Sequence, residues 1–169
     1  MTDAKAVYRH HPTQAEIDAV LSQRLVATIG TVNEDGSVHL AYVIFAFADR
    51  RFLVETSSIT RKARNVRARG QATVLVQGTG PEGRNLMVSA EGAARLLEGD
   101  DGRRAIGRVR AKYVKADALD GLARAWDPID DVAIEVTPQR WRSWTGSLLH
   151  AAAIEQLGDR YEEIWLEDE

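Results

Sequence analysis

The sequence contains no cysteine. Disulfides, thiolate nucleophiles and thiolate metal sites are therefore excluded. It also lacks any apolar run near the ~20 residues that a membrane-spanning helix needs. The opening MTDAKAVYRHHPTQAEID carries charges throughout and has no apolar stretch of the kind a secretory signal requires, so the expectation is a soluble cytoplasmic domain. A basic excess is missing too: the formal net charge of −3 gives no global pull towards nucleic acid or a membrane surface. Metal-ligand spacing is absent among His10, His11, His39 and His150, and no metal site is expected. No repeat, low-complexity tract or linker divides the chain. Its 169 residues, 44% of them hydrophobic, suit one domain with a core of its own.

What is present reads as hairpins with a few helices between them. Thr13 and Glu16 have the spacing of a capping box ahead of Ile17, Val20 and Leu21, which predicts a helix over 13–23. LVATIGTV (25–32) is β-branched and runs into Asn33-Glu34-Asp35-Gly36, a tight-turn signal; VHLAYVIFAF (38–47) pairs back on it. Asp49-Arg50-Arg51 makes the next turn and FLVET (52–56) the third strand. A helix is predicted over 60–69, a strand over 72–78, a loop over 78–83, and a long strand over 85–97 with a bend or bulge at Gly92.

Asp100 is expected to cap a helix over 101–114, with Ile106, Val109 and Tyr113 inward. Asp117 is expected to cap a shorter helix carrying Leu119, Leu122 and a buried Trp126. VAIEV (132–136) reads as the last core strand, followed by Thr137-Pro138 and RWRSWTG (140–146); a tail helix then runs to Leu157 and breaks at Gly158. His39 lies on the opposite side of its strand from Leu40 and Tyr42 and is expected to face solvent. Consecutive hairpins without a βαβ rhythm predict a small antiparallel barrel.

The stretch ETSSITRKARN (55–65) poses an electrostatic problem. It places Arg61 and Lys62 in the first turn of a helix, where unpaired N–H groups already carry partial positive charge and further cations are disfavoured. No acidic residue occurs between Glu55 and Glu82, while Arg61, Lys62, Arg64, Arg67 and Arg69 do. A bound phosphate would resolve the conflict. Backbone N–H groups, the hydroxyls of Thr56, Ser57, Ser58 and Thr60, and two full charges would converge on it. The alternative is that Ser and Thr only cap the helix, above a solvated basic face; Arg64, Arg67 and Arg69 are assigned to that face.

LVATIGTVNEDGSVHLAYVIFAF followed by RFLVETSSITRKARNVRARGQATVLV resembles the pyridoxamine 5′-phosphate oxidase-like split-barrel superfamily, and within it the flavin/deazaflavin oxidoreductase branch abundant in actinobacteria. ARLLEGDDGRRAIGRVRAKY and DDVAIEVTPQRWRSW fit the same pattern. The resemblance covers residues 13–146 of a single domain and leaves 147–169 as a C-terminal extension. It implies a six-stranded split β-barrel and a homodimer with cofactor sites at the subunit interface. By the same resemblance Thr56, Ser57, Ser58, Arg61 and Lys62 receive the cofactor phosphate. Ala41, Tyr42, Val43, Ile44 and Phe45 run beneath the tricyclic ring, and the partner subunit supplies Trp141, Arg142 or Trp144. Many relatives have Pro just before the ring-binding stretch, where this chain has Tyr42.

The implied function is hydride transfer between bound FMN or the deazaflavin coenzyme F-420 and an unsaturated small molecule. The Arg61-Lys62-Ala63-Arg64-Asn65 run and the strand sequences resemble the deazaflavin branch most, which tilts the choice towards F-420. Alternatives at this stage are an FMN-dependent oxidase of pyridoxamine 5′-phosphate, for which no second phosphate site is visible, and a flavin- or deazaflavin-binding protein without turnover. Trp141 and Trp144 among Arg140 and Arg142 are too short a basic-aromatic segment to argue nucleic-acid binding. Burial at a dimer interface is the expectation for them.

Overall fold

β-branched and apolar stretches form six strands in the computed structural model, which describes residues 12–80, 85–145 and 147–164. They are β1 (Val26–Val32), β2 (Val38–Ala48), β3 (Arg51–Thr56), β4 (Gln71–Thr79), β5 (Asn85–Leu97) and β6 (Val132–Trp144). All neighbours are antiparallel and the sheet closes on itself in the order β1-β2-β3-β6-β5-β4. The predicted six-stranded antiparallel barrel is therefore the fold. Among the described residues five α-helices flank it: α1 (Gln14–Leu21), α2 (Arg61–Arg69), α3 (Gly99–Tyr113), α4 (Leu119–Trp126) and α5 (Ser147–Leu157). The sequence readings on 1–11, 81–84 and 165–169, and on His10 and His11, lie outside the described residues, as does the side chain of His150.

The barrel is filled by large side chains that water does not reach. Phe45, Phe52, Ile29, Ile134, Val54, Val74 and Val88 are among those fully buried. Helix α1, closed by the reciprocal Thr13–Glu16 capping box, lays Ile17, Val20 and Leu21 over the end of the barrel where β1 starts and β4 finishes. Helix α2 sits at the opposite end, bonded to the last residues of β1. Helix α3 covers the outside of β2, β3 and β6, where Ala105, Ile106 and Val109 meet Ala46, Leu53 and Ala133.

Two local features explain the strand register. Asp49 and Arg50 both take left-handed dihedrals (φ 52° and 60°) between the paired Ala48 and Arg51, a two-residue hairpin turn that matches strand twist. The predicted bulge at Gly92 is real: pairing of β5 with β6 slips between Glu91 and Gly92. A Cβ at Gly92 would run into the Thr137 carbonyl, so the crossing admits only glycine.

Several expectations are corrected. The α3 N-cap is Glu98, without a side-chain bond to the helix, and Asp100 lies inside the first turn paired with Arg103. Asp117 belongs to a 3₁₀ turn over Ala116–Ala118, and α4 begins behind Ala118 with no side-chain cap. No residue of α4 is buried; Trp126 is 40% exposed and rests over the Arg110 guanidinium. VAIEV and RWRSW are one continuous strand, because Pro138 falls at the bulge, where the ladder is already interrupted. On β2 the faces are reversed: Leu40 and Tyr42 are 64% and 83% exposed, while His39 is only partly exposed, on the face that carries Val43 and Phe45 into the core. A nearly unbroken apolar strand gives no alternation from which to tell its two faces apart.

Candidate functional site

Strand β3 runs out at Thr56, and after a four-residue turn α2 begins at Arg61. Thr60 ends that turn in extended conformation, and its hydroxyl accepts the Ala63 N–H (3.4 Å) and donates to the Ser57 carbonyl (2.8 Å). The Thr56 hydroxyl lies 3.1 Å from that of Thr60. Helix α2 is then held in place by its buried face, Ala63, Asn65 and Val66. Asn65 Nδ2 donates to Thr31 Oγ1 (3.1 Å) and Asn33 Oδ1 (2.9 Å), fixing the helix to the end of β1.

The basic residues of α2 separate into two groups. Arg64 donates to the Ile59 carbonyl, Arg67 pairs with Glu98 at 2.8 Å, and Arg69 grips the carbonyls of Val32 and Asn33. Arg61 and Lys62 make no hydrogen bond or salt bridge with any described residue. Lys62 is partly buried, and that burial pushes its ammonium below the usual lysine range, with Asp130 pulling it back. The two cations at the disfavoured pole of the helix are thus the two of its basic residues without a hydrogen bond or ion pair among the described residues, although Asp35 acts on Arg61, and Asp130 on Lys62, through space.

The serines are arranged differently. The Ser58 N–H donates to Asp131 Oδ1 (2.7 Å) and the Ser58 hydroxyl to Oδ2 (2.8 Å). These bonds, with help from the Ser57 hydroxyl, hold the Asp131 carboxyl below the usual aspartate range. Asp131 reaches them because the next residue, Val132, pairs with Thr56 across β3 and β6. A carboxylate of the chain itself therefore sits on the donors of this turn. Asp131 also lines a cleft of about 300 Å³ between α3 and α4, together with Ile106, Arg110, Leu119 and Asp127.

Immediately inward lies a buried ion pair. Glu55 Oε1 accepts from Arg110 Nε (2.8 Å) and a terminal nitrogen (2.5 Å), and Arg110 bonds Asp127 with its other terminal nitrogen (2.6 Å). Glu55 Oε2 is buried without a hydrogen-bond partner. Burial pushes the Glu55 carboxyl above its usual range, against the pull of Arg110. This pair anchors the last turn of α3 to the end of β3, one residue before the candidate site.

Strand β2 offers alternating faces. Val43 and Phe45 are buried inside the barrel, Ala41 is partly buried beside them, and Tyr42 and Ile44 point outward. Of these, the Tyr42 side chain is exposed, Ile44 packs against the apolar cluster beneath α3, and the Phe45 N–H donates to the Tyr113 hydroxyl (3.2 Å). Trp141 packs edge-on to Phe47 and tilted against Phe52 (centroids 5.9 Å in both pairs) at the edge of the core, and Trp144 is partly buried, paired with Met87. Neither lies on α2 or its turn. The outer face of β1, β2 and β4 is an apolar surface: Val26, Val38, Leu40, Tyr42 and Leu75 are all exposed, and Ile59, just before α2, is 78% exposed.

The sequence profile of the family described as pyridoxamine 5′-phosphate oxidase matches residues 13–145. The chain belongs to that family. None of the curated proteins matches it. Among solved structures, a conserved hypothetical protein, Rv2991, from Mycobacterium tuberculosis is 24% identical, with a TM-score of 0.66 over 82% of this chain and 88% of that one. An F-420 reductase is 20% identical (TM-score 0.55, 78% and 98% covered). HutZ, the heme storage protein from Vibrio cholerae, is also 20% identical (TM-score 0.60, 79% and 94%). At these identities the structural likeness establishes the shared fold, and it spans oxidoreductase and storage proteins alike. Among the described residues no helix is long and apolar enough to cross a membrane, and no group of His, Asp and Glu is arranged to hold a metal ion.

Sequence reasoning located the turn and its cations but missed Asp131 and the Glu55–Arg110 pair. Asp130-Asp131 reads locally as a turn, and only the β3–β6 pairing brings it to Ser58.

Proposed function

We propose that this chain is an oxidoreductase of the pyridoxamine 5′-phosphate oxidase family that binds F-420 or FMN with the cofactor phosphate at the start of α2. The observation that carries this reading is the pair Arg61 and Lys62, which stand at the positive end of a helix without a hydrogen bond or ion pair among the described residues. Cations so placed raise the energy of the free protein and lower that of an anion complex, and Arg61 offers a planar fork to two phosphate oxygens. The residues present fit a phosphate: two cations and the backbone N–H groups of the first turn, with lesser contacts assigned to Thr56, which is buried against the Thr60 hydroxyl, and to Ser57, which also serves Asp131. Ser58 fits only if Asp131 gives way, so the charged pair is assigned the main contact and Ser58 a lesser one.

When bound, the cofactor ring supplies the hydride chemistry, with an unsaturated small molecule as the other partner. The chain's own contribution is to seat and orient. Asn65 locks α2 to β1, so the phosphate anchor and the β2 backbone of 41–45 keep a fixed separation. The exposed apolar face of β1, β2 and β4 is assigned to a second copy of the chain, which would cover Leu40 and Tyr42 and exclude water beside the ring. Trp141, Arg142 and Trp144 of the second copy are the residues proposed to complete the site.

The test is a fluorescence titration with F-420 and, separately, FMN, on wild type and on Arg61→Ala/Lys62→Ala. Saturable binding that the double replacement weakens at least roughly tenfold supports the assignment, since two charge-assisted contacts are lost. Unchanged affinity for both cofactors refutes it.

A further inference from the structure

A second cluster of cations lies far from α2. Arg51 begins β3 and Arg95 lies near the end of β5; Arg104 and Arg108 project from one face of α3. They surround a cleft of about 240 Å³ with Leu53 and Ala105, both buried, among its lining residues. Along β3 the five-residue step from Arg51 to Thr56 separates it from the α2 turn by roughly 16 Å.

The charges in the cleft do not cancel. Four arginines face three carboxylates, Asp49, Asp101 and Glu135. Glu135 is buried and both its oxygens are taken, one by Arg51 (3.2 Å) and one by Arg95 (2.7 Å). Asp101 holds Arg104, and Asp49 holds Arg108 at 2.7 Å. Each guanidinium thus commits one of its nitrogens to a carboxylate and keeps the others for a further acceptor. All four cations are arginine, whose rigid fork matches oxyanions in a way lysine does not. The acids inside the cleft are used to hold the guanidiniums in place, and one positive charge is left over.

We propose that this cleft is an anion site for a small molecule carrying two adjacent phosphate groups, gripped between a sheet wall (Arg51, Arg95) and a helix wall (Arg104, Arg108). Two linked phosphate groups offer acceptor oxygens to the guanidinium forks of both walls at once, which one phosphate group offers less fully. The site is independent of the cofactor seat at α2.

The probe is inorganic pyrophosphate, titrated by calorimetry into wild type, Arg104→Gln/Arg108→Gln and Arg61→Ala/Lys62→Ala. Saturable binding is expected in wild type and in the α2 variant, and at least roughly tenfold weaker binding in the α3 variant. Arg104 and Arg108 are both exposed and pair with exposed acids, so their loss leaves the core intact. Should that variant not fold, Arg104→Lys/Arg108→Lys keeps the charges and removes the forks, and a loss of several-fold is expected from it. Orthophosphate should bind wild type more weakly than pyrophosphate. The proposal is overturned if pyrophosphate does not saturate, if the α3 replacements leave its affinity unchanged, if only the α2 variant loses it, or if orthophosphate binds as well.

Discussion

Replacing Arg110 by Met tests the buried pair beneath the site. The side chains of Glu55 and Arg110 are 2% and 4% exposed, so the replacement strands a carboxylate that water cannot reach. Stranding one partner of such a pair costs about 3–5 kcal/mol. The bond to Asp127 adds little, because that carboxylate is 54% exposed. For a chain of this length each kcal/mol lowers Tm by about 2–4 °C, which gives an expected fall of roughly 6–20 °C. The loss must also depend on pH. Glu55 is already pushed above its usual range in the wild type, so its neutral form favours the folded state; stability from this group is present at low pH and is lost as pH rises through the raised value.

Without Arg110 the carboxyl moves higher still, and the gap between wild type and variant should widen from about pH 5 towards pH 8. Urea unfolding of both proteins at these two pH values measures it. Adding Glu55→Gln to Arg110→Met removes the stranded charge and should recover a substantial part of the loss at pH 8. A penalty under about 1 kcal/mol, or one of equal size at both pH values, would refute the reasoning.

Asp131→Asn takes a full charge off the Ser57-Ser58 turn, and FMN or F-420 titration should show several-fold tighter binding; weaker binding would mean that the carboxylate organises the seat instead of competing for it. Lys112 has its ammonium 2.9 Å from the Leu21 carbonyl and 3.7 Å from the centre of the Phe45 ring, and burial lowers its pKa to about 8. Because that value lies below the ordinary lysine range, this group adds stability as pH climbs past 8, and Lys112→Met should flatten the rise between about pH 8 and pH 10 in urea midpoints. Tyr42→Asp with Leu40→Asp puts two charges on the exposed apolar face of β2; analytical ultracentrifugation should show a dimer in wild type and a monomer in the variant. Gly92→Ala should cost more than about 2 kcal/mol in chemical unfolding, since its Cβ has no room beside Thr137.

Much of the barrel was legible from local signals. β-branched runs, the Asn33–Gly36 turn and the Thr13–Glu16 capping box each declare themselves within a few residues, and each lies where the sequence placed it. The faces of β2 were not legible, because VHLAYVIFAF is apolar on both sides. Nor was α4: its apolar residues have helical spacing, yet the helix packs too loosely to bury any of them. The candidate site divides in the same way. Arg61 and Lys62 stand out in sequence because they oppose the helix dipole, a conflict contained within a single turn. Asp131 reaches Ser58 from 73 residues away, and Arg110 reaches Glu55 at the end of β3 from 55 residues away, through strand pairing and helix packing that no local pattern encodes.

The central claim is that a phosphate-bearing cofactor sits on Arg61 and Lys62. The most direct test is equilibrium titration of wild type and Arg61→Ala/Lys62→Ala with F-420 and with FMN, alongside thermal unfolding of both proteins. The account predicts saturable binding of one cofactor to wild type, at least roughly tenfold weaker binding to the variant, and a Tm that the replacement does not lower, since neither side chain makes a hydrogen bond or ion pair among the described residues. Equal affinity in the two proteins, or no binding of either cofactor to wild type, would contradict it.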